Sequence, residues 1–203
     1  MKKRGIKKHK QNFSFKQEYK ESWKYLKNSK NYIYTIIGLF VVFALIGYFV
    51  PIPEVYAERI LDFIRELLLK TEGMGQAELS AFILLNNIQS SFFGMLLGIF
   101  LGIFSIITTL VNGFILGFVS NLTVNYEGFG VLWKLFPHGI FELPAIFISL
   151  GLGLKLGSFI FQKERKKAFV NYLLNSIRAF LLIVIPLLVL AAIIEGFLIV
   201  ILG

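Results

Sequence analysis

Residues 33–50, IYTIIGLFVVFALIGYFV, decide the fold class because they contain no charged side chain. A stretch of this kind approaches the ~20 residues that an α-helix needs to cross the hydrocarbon of a bilayer. Of the 203 residues 56% are hydrophobic and 16% are charged, whereas a soluble domain carries about 25% charged residues. The sequence therefore predicts an all-α, polytopic transmembrane helical bundle of about five spans. The spans are predicted at residues 33–50, 81–107, 110–125, 138–161 and 177–202.

Residues 1–31 form a basic segment ahead of the first span. Eleven lysines and arginines stand here against Glu18 and Glu21. Positive charge beside a span marks the cytoplasmic side of the membrane and attracts anionic lipid headgroups. We therefore predict a cytoplasmic tail that contacts the bilayer surface, followed by a transmembrane domain over residues 32–203. Nucleic acid is the weaker alternative as a partner of these charges, and we expect none.

Two segments outside the spans have the periodicity of amphipathic helices. In the first, apolar residues recur at intervals of three or four between lysines, which is typical of a helix on a membrane surface. In the second, residues 54–70, an apolar face opposes an acidic one, which predicts an interfacial or loosely packed helix outside the membrane. The first apolar face consists of Phe15, Tyr19, Trp23 and Leu26, and the second of Val55, Ile60, Ile64, Leu67 and Leu68.

The distribution of lysine and arginine predicts the topology. The N-terminal segment and the loop around residues 163–178 are basic, so both are predicted in the cytoplasm, and the acidic residues 54–78 are predicted outside the cell. Five spans in the cell membrane then leave the N-terminus in the cytoplasm and the C-terminus outside. The second and third spans are joined by a tight cytoplasmic turn at residues 108–112. Whether residues 108–137 complete a span or re-enter the membrane stays open at this point.

Glycines recur at a spacing of four within the predicted spans. Such a spacing leaves a groove along one helix face, into which a neighbouring backbone can pack closely. Two other residues bear on the spans: we expect Lys155 to extend to the cytoplasmic surface and Pro186 to kink the fifth span. The glycines predicted to line packing faces are Gly94, Gly98, Gly102, Gly113, Gly117, Gly153 and Gly157.

His138 and Glu142 lie one helical turn apart at the head of the fourth span. The predicted topology places further polar side chains at the same depth, in the outer half of the membrane. A carboxylate at that depth must be paired, protonated or functional, because an isolated charge in hydrocarbon is costly. The cluster is either a set of interhelical hydrogen bonds that hold the bundle together or a site for a ligand or a proton. Its members are His138, Glu142, Asn86, Asn87, Gln89 and Glu195.

The residue inventory argues against enzymatic chemistry. The absence of cysteine excludes thiolate metal sites, disulfides and cysteine nucleophiles. His138 is the single histidine outside the basic tail, and a catalytic zinc ion takes about three nitrogen, oxygen or sulfur ligands. The sequence contains no His-Glu-x-x-His motif, nucleophile elbow or phosphate-binding loop. We therefore expect no metal, no cofactor and no enzymatic activity.

Short motifs follow one another in a fixed order: Asn86-Asn87, Asn112-Gly113 with Leu116-Gly117, His138-Gly139 with Glu142-Leu143, and then Gly151, Gly153 and Gly157. In this order, from about residue 23 to residue 161, the chain resembles the SpoIIM-like integral membrane proteins, of the stage II sporulation protein M type. The resemblance implies a multi-spanning membrane protein. In spore-forming bacteria it further implies work with cell-wall hydrolases during engulfment, and it assigns no catalytic residue.

Three functions compete on these observations. The first is a membrane scaffold that recruits protein partners in the cell envelope, and we favour it because of the resemblance and the glycine-lined packing faces. The second is a transporter or permease component that binds substrate or relays protons through the outer polar cluster. The third, an intramembrane enzyme, is the weakest. The glycine faces fit internal packing or a homo-oligomer equally well.

Overall fold

The computed structural model of the protein describes residues 14–202, without the side chains of residues 131–138, 141 and 195–202. The chain is 90% helical, and no strand occurs in the described range, so the prediction of an all-α helical bundle is confirmed. The helices are α1 (Phe15–Lys27), α2 (Lys30–Phe49), α3 (Glu54–Thr71), α4 (Gln76–Leu96), α5 (Ile103–Glu127), α6 (Leu132–Gly157), α7 (Arg165–Ala179) and α8 (Ile185–Leu202).

Short irregular turns connect several of these helices. A π-helical turn at Phe180–Val184 joins α7 to α8 without a break. It ends two residues before Pro186, which has no N–H group for the helical ladder, so the irregularity lies where a proline kink was expected. The 3-10 turns are Leu97–Ile99, Phe129–Val131 and Ser158–Phe161.

Five helical segments in the described part of the chain are long and apolar enough to cross a membrane. Their number agrees with the sequence prediction, and the side of the membrane on which each terminus lies stays a prediction. The segments are Lys30–Phe49, Gln76–Ile99, Ile103–Glu127, Glu142–Phe161 and Arg165–Ile194.

The turn between the second and third spans lies earlier than the sequence predicted. Residues 108–112 are inside α5, and the chain turns between α4 and α5, where Leu101 and Gly102 have φ angles of 58° and 74°. Glycine reaches this left-handed region without steric cost, which favours a turn here over a continuous helix. Gly94, Gly98 and Gly102 therefore do not line one helix, because Gly98 and Gly102 belong to the turn. The third span, predicted at residues 110–125 and left open as a complete or re-entrant segment, is part of α5, a regular helix of 25 residues.

Two further boundaries differ from the prediction. The basic loop predicted around residues 163–178 is mostly helix, because α7 begins at Arg165. Helix α6 begins at Leu132, so His138 and Glu142 lie within it rather than at its start. At α7 the helix extends beyond the apolar run, since lysine and arginine are good helix formers and a span need not end where its helix ends. At α6 the added residues 132–137 are themselves mostly apolar.

The spanning helices alternate in direction. Helices α4 and α6 are parallel, since Ser91 of α4 meets Ser149 of α6, and Gly98, in the turn after α4, meets Gly153 further along α6. Helix α2 is antiparallel to α6, because Ser29 at the start of α2 contacts Lys155 near the end of α6. Helix α5 is parallel to α2. The bundle thus has an α1 end, formed by α1, the start of α2 and the end of α6, and an α3 end, where α3 connects α2 to α4.

Helix α6 is the centre of the bundle. Half of its spanning segment is buried, against 17–33% for the other four segments. Its buried side chains pack against α4 and α8 through Met95, Leu152, Val184 and Leu188, while the outer helices present apolar side chains to the surroundings. A bundle in lipid needs no polar outer surface, so this distribution suits a membrane protein.

Candidate functional site

Glycines bring helix backbones into direct contact at two seams. At the first, a Cβ atom on Gly98 would overlap the backbone of Gly153, and a Cβ atom on Gly157 would overlap the backbone of Gly102. At the second, between α5 and α2, a Cβ atom on Gly117 would overlap the carbonyl oxygen of Ala44. The remaining predicted packing glycines lie on the same seams: Gly94 against Leu150, and Gly113 against Phe40.

The structure describes four of the six side chains in the predicted polar cluster. Asn86 and Gln89 are exposed, Asn87 is half-buried, and Glu142 is half-buried and engaged in an interaction. The side chains of His138 and Glu195 lie outside the described residues, and so does any contact through them. Because α4 and α6 are parallel, the asparagines and Glu142 lie in the half of the bundle toward the α3 end. Their assembly into one site stays a prediction.

The most enclosed charge in the described part of the chain is Lys155, at the α1 end. The residue is only 7% exposed although it is a lysine in a spanning segment. Its Nζ atom donates a hydrogen bond to Ser29 Oγ at 2.9 Å and lies 3.9 Å from the ring centroid of Tyr25 and 5.4 Å from that of Tyr172. Among the described side chains, no carboxylate forms an ion pair with it. The ammonium group is thus stabilised by aromatic faces and a hydroxyl group.

Hydroxyl groups hold the walls of this lysine site in place. Tyr25 contacts Ser176 through their hydroxyl oxygens at 3.2 Å and donates to the carbonyl oxygen of Tyr172 at 3.3 Å. Burial raises the pKa of the Tyr25 hydroxyl above its usual range, and the hydrogen bond with Ser176 offsets part of that effect. The phenol therefore stays protonated and available as a donor at neutral pH. Ser29 donates to the Tyr25 carbonyl oxygen at 2.7 Å, which fixes the α1–α2 connection over the lysine.

The expectation that Lys155 extends to the cytoplasmic surface is wrong. Its side chain is covered because α1 folds back across the end of the bundle and places Tyr25 over it. A lysine extends to water only where no protein covers the path, so the docking of α1 decides its position. The sequence did carry one signal: Lys155 lies between Gly153 and Gly157, in the stretch where helices pack most closely.

Arg178 of α7 fastens α1 to the bundle. Its Nε atom lies 2.7 Å from Glu18 Oε2, and one of its terminal nitrogens lies 3.0 Å from Glu21 Oε2. The two acidic residues of the otherwise basic N-terminal segment thus share one arginine. Ser22, Tyr25 and Leu26 of α1 are buried on the same side.

A second side of α1, next to the buried one, remains uncovered. Phe15, Tyr19 and Trp23 are 64%, 47% and 48% exposed and form one stripe at intervals of four residues. The stripe is the predicted apolar face without Leu26, which is buried in the bundle. An exposed apolar stripe flanked by lysines is suited to the headgroup region of an anionic membrane.

Removal of the shared arginine should release α1. We expect Arg178→Ala to weaken the docking of α1 by about 1 kcal/mol, because partly exposed ion pairs contribute about 0.2–1 kcal/mol each. The measurement is the rate of chymotryptic cleavage at the aromatic residues of α1, which should rise about fivefold. Arg65→Ala is the control, since it breaks an exposed pair with Asp62 inside α3. Equal cleavage rates in both variants would show that the ion pairs of Arg178 with Glu18 and Glu21 do not hold α1 on the bundle.

Comparison with known protein families identifies the chain. The family described as SpoIIM, stage II sporulation protein M, matches residues 36–198, which is well over half of the sequence. The chain belongs to the SpoIIM family. This membership confirms the resemblance found in the motifs and, together with the five apolar helices, makes the chain a multi-pass membrane protein. No curated protein and no solved structure matches it.

The match separates two parts of this SpoIIM family protein. It begins at Ile36, inside α2, and therefore covers the spanning helices and α3 but not α1. Lys155 lies within the matched part, whereas Tyr25 and Ser29, which cover it, lie before it. Within the described residues, no group of three histidine, aspartate and glutamate side chains is arranged to hold a metal ion.

Proposed function

We propose that this SpoIIM family protein is a membrane scaffold that recruits a partner protein of the cell envelope through α3. The observation that supports this is the state of α3, an 18-residue helix in which no residue is buried. It makes only sparse contacts with the rest of the described chain. Ile60 and Ile64 are half-buried, and the exposed apolar side chains beside them are available for another molecule.

The composition of α3 fits a protein partner. Tyr56, Phe63 and Leu67 are 60%, 51% and 37% exposed along one side of the helix, and most of its charged residues occupy the other side. An amphipathic helix of this kind binds by laying its apolar residues into a groove of its partner. An anionic membrane surface is less suitable, because membrane-surface helices carry mainly lysine and arginine on the polar face, as α1 does, whereas α3 carries four acidic and three basic residues.

Position supports the same function. Helix α3 connects α2 to α4 at the end of the bundle opposite α1 and its lysines. With the lysine-rich end in the cytoplasm, α3 is on the outer side, where envelope proteins work. The protein then has one end fastened to the inner leaflet and one helix presented outside.

Photocrosslinking tests this function. A photoreactive amino acid at Phe63 or Leu67 should give the same discrete crosslinked protein in intact cells, because both side chains lie on one exposed apolar side of α3, four residues apart. The control is Val42, an equally exposed apolar residue on the spanning helix α2. Crosslinks to lipid alone, or the same products from Val42, would contradict the proposal. Loss of substrate flux in reconstituted Glu142→Gln protein would support the transport alternative instead.

A further inference from the structure

Helix α4 has two faces of different character. The face toward α6 carries Ser91, Gly94 and Met95, all buried. The opposite face is exposed along the whole helix, and its middle is polar rather than apolar. In chain order it carries Leu85, Asn86, Gln89, Ser90 and Phe93.

The polar part of this face lies at the wrong depth for contact with water. Asn86 and Gln89 are near the midpoint of the 24-residue spanning segment Gln76–Ile99. An amide group placed in hydrocarbon without a partner is strongly unfavourable, because lipid tails offer neither a donor nor an acceptor. Two such groups on the outer surface of a spanning helix therefore indicate that another polar surface covers them.

Other asparagines of the spanning helices show how the fold normally satisfies an amide. Asn112 donates to the carbonyl oxygen of Thr108 at 2.8 Å, Asn125 to the side chain of Asn121 at 3.1 Å, and Asn175 to the carbonyl oxygen of Asn171 at 2.7 Å. By contrast, within the described residues the side chains of Asn86, Asn87 and Gln89 form no hydrogen bond. The amides of α4 thus differ from these others in the chain.

We propose that this face of α4, centred on Asn86 and Gln89, is the interface with a second copy of the chain. An amide side chain both donates and accepts, so it can pair with the same side chain of an identical helix. Two copies inserted with the same topology are related by a twofold axis along the membrane normal. Their α4 helices then run parallel, and Gln89 meets Gln89 near the axis. A heterologous partner would need its own matching amides, whereas the second copy supplies them by symmetry.

The apolar flanks of the face fit this arrangement. Leu85 and Phe93 are 65% and 47% exposed, and they lie one turn on either side of Gln89. In a parallel pair they pack against their own counterparts and enclose the amides between two apolar layers. Hydrogen bonds that are shielded in this way are the ones that drive association of helices in lipid.

Single cysteines test the interface directly, because the natural chain has none. Oxidation of Gln89→Cys protein in its native membrane should yield a disulfide-linked dimer, since identical residues approach each other at a twofold axis. Val42→Cys is the matched control, an exposed residue in the middle of the spanning helix α2. Crosslinking of both variants to the same extent would overturn the proposal, and so would a Gln89→Cys crosslink to a different protein.

A mass measurement keeps the test independent of cysteine chemistry. The wild-type chain in mild detergent should have twice the 23.1 kDa of one copy, once bound detergent is subtracted. Asn86→Leu with Gln89→Leu should weaken the dimer on the order of tenfold or more, because two interhelical amide contacts are lost. The melting temperature of the variant monomer should not fall, since both side chains are exposed and form no hydrogen bond within the described residues. A monomeric wild type, or a double variant that dimerises as tightly, would contradict the interface.

Discussion

Gly117→Ala should lower the free energy of unfolding by about 3 kcal/mol or more. The new methyl group would overlap the carbonyl oxygen of Ala44 and come within 2.9 Å of the Tyr48 backbone nitrogen. Overpacking in a core costs about 1–3 kcal/mol when side chains can rotate away. Here the obstacle is backbone, so the only relief is separation of α5 from α2 along the whole seam. This substitution is the smallest one possible, and larger residues should prevent folding.

Gly38→Ala is the matched control for this prediction. Gly38 is also in a spanning helix, but a Cβ atom there would meet nothing within 4 Å. The control should keep or slightly raise stability, because alanine is a better helix former than glycine by about 0.5–1 kcal/mol. The measurement is thermal unfolding of both purified variants in the same detergent. Similar melting temperatures would show that α2 and α5 are not in backbone contact at Gly117.

Lys155→Glu should destabilise the α1 end by on the order of 3–5 kcal/mol, the range for an uncompensated charge in a protein interior. The carboxylate would face the electron-rich rings of Tyr25 and Tyr172, which attract a cation and repel an anion. It would also lose the donor role toward Ser29. The expected readout is a large fall in melting temperature together with proteolysis of α1.

Lys155→Met separates the effect of charge from that of volume. Methionine fills nearly the same space without an ammonium group to desolvate, so this variant should fold with a loss below about 1.5 kcal/mol. If Lys155 instead reached the aqueous surface, both substitutions would change stability by less than about 0.5 kcal/mol. A Lys155→Glu protein as stable as the wild type would therefore contradict the buried site.

Sequence patterns located the elements well where the cause is local. The five apolar segments, the two amphipathic helices and the irregularity near Pro186 all depend on residues within one or two helical turns. The motif order likewise identified the SpoIIM family. The turn between α4 and α5 was misplaced because its glycines have the same spacing as a helix-packing motif, and spacing alone does not separate the two. The positive φ of Gly102 does.

An all-α, multi-pass protein follows from the sequence alone, because span length and hydropathy are properties of contiguous residues, and the order of the motifs indicated the SpoIIM family. Which side chains meet depends on how the helices pack. Lys155 is enclosed by Ser29 and Tyr25, which are more than a hundred residues away in the chain. Asn86 and Gln89 face outward because α4 directs its glycine face toward α6. Periodicity shows that a helix has faces, but contacts between distant segments choose which face is buried.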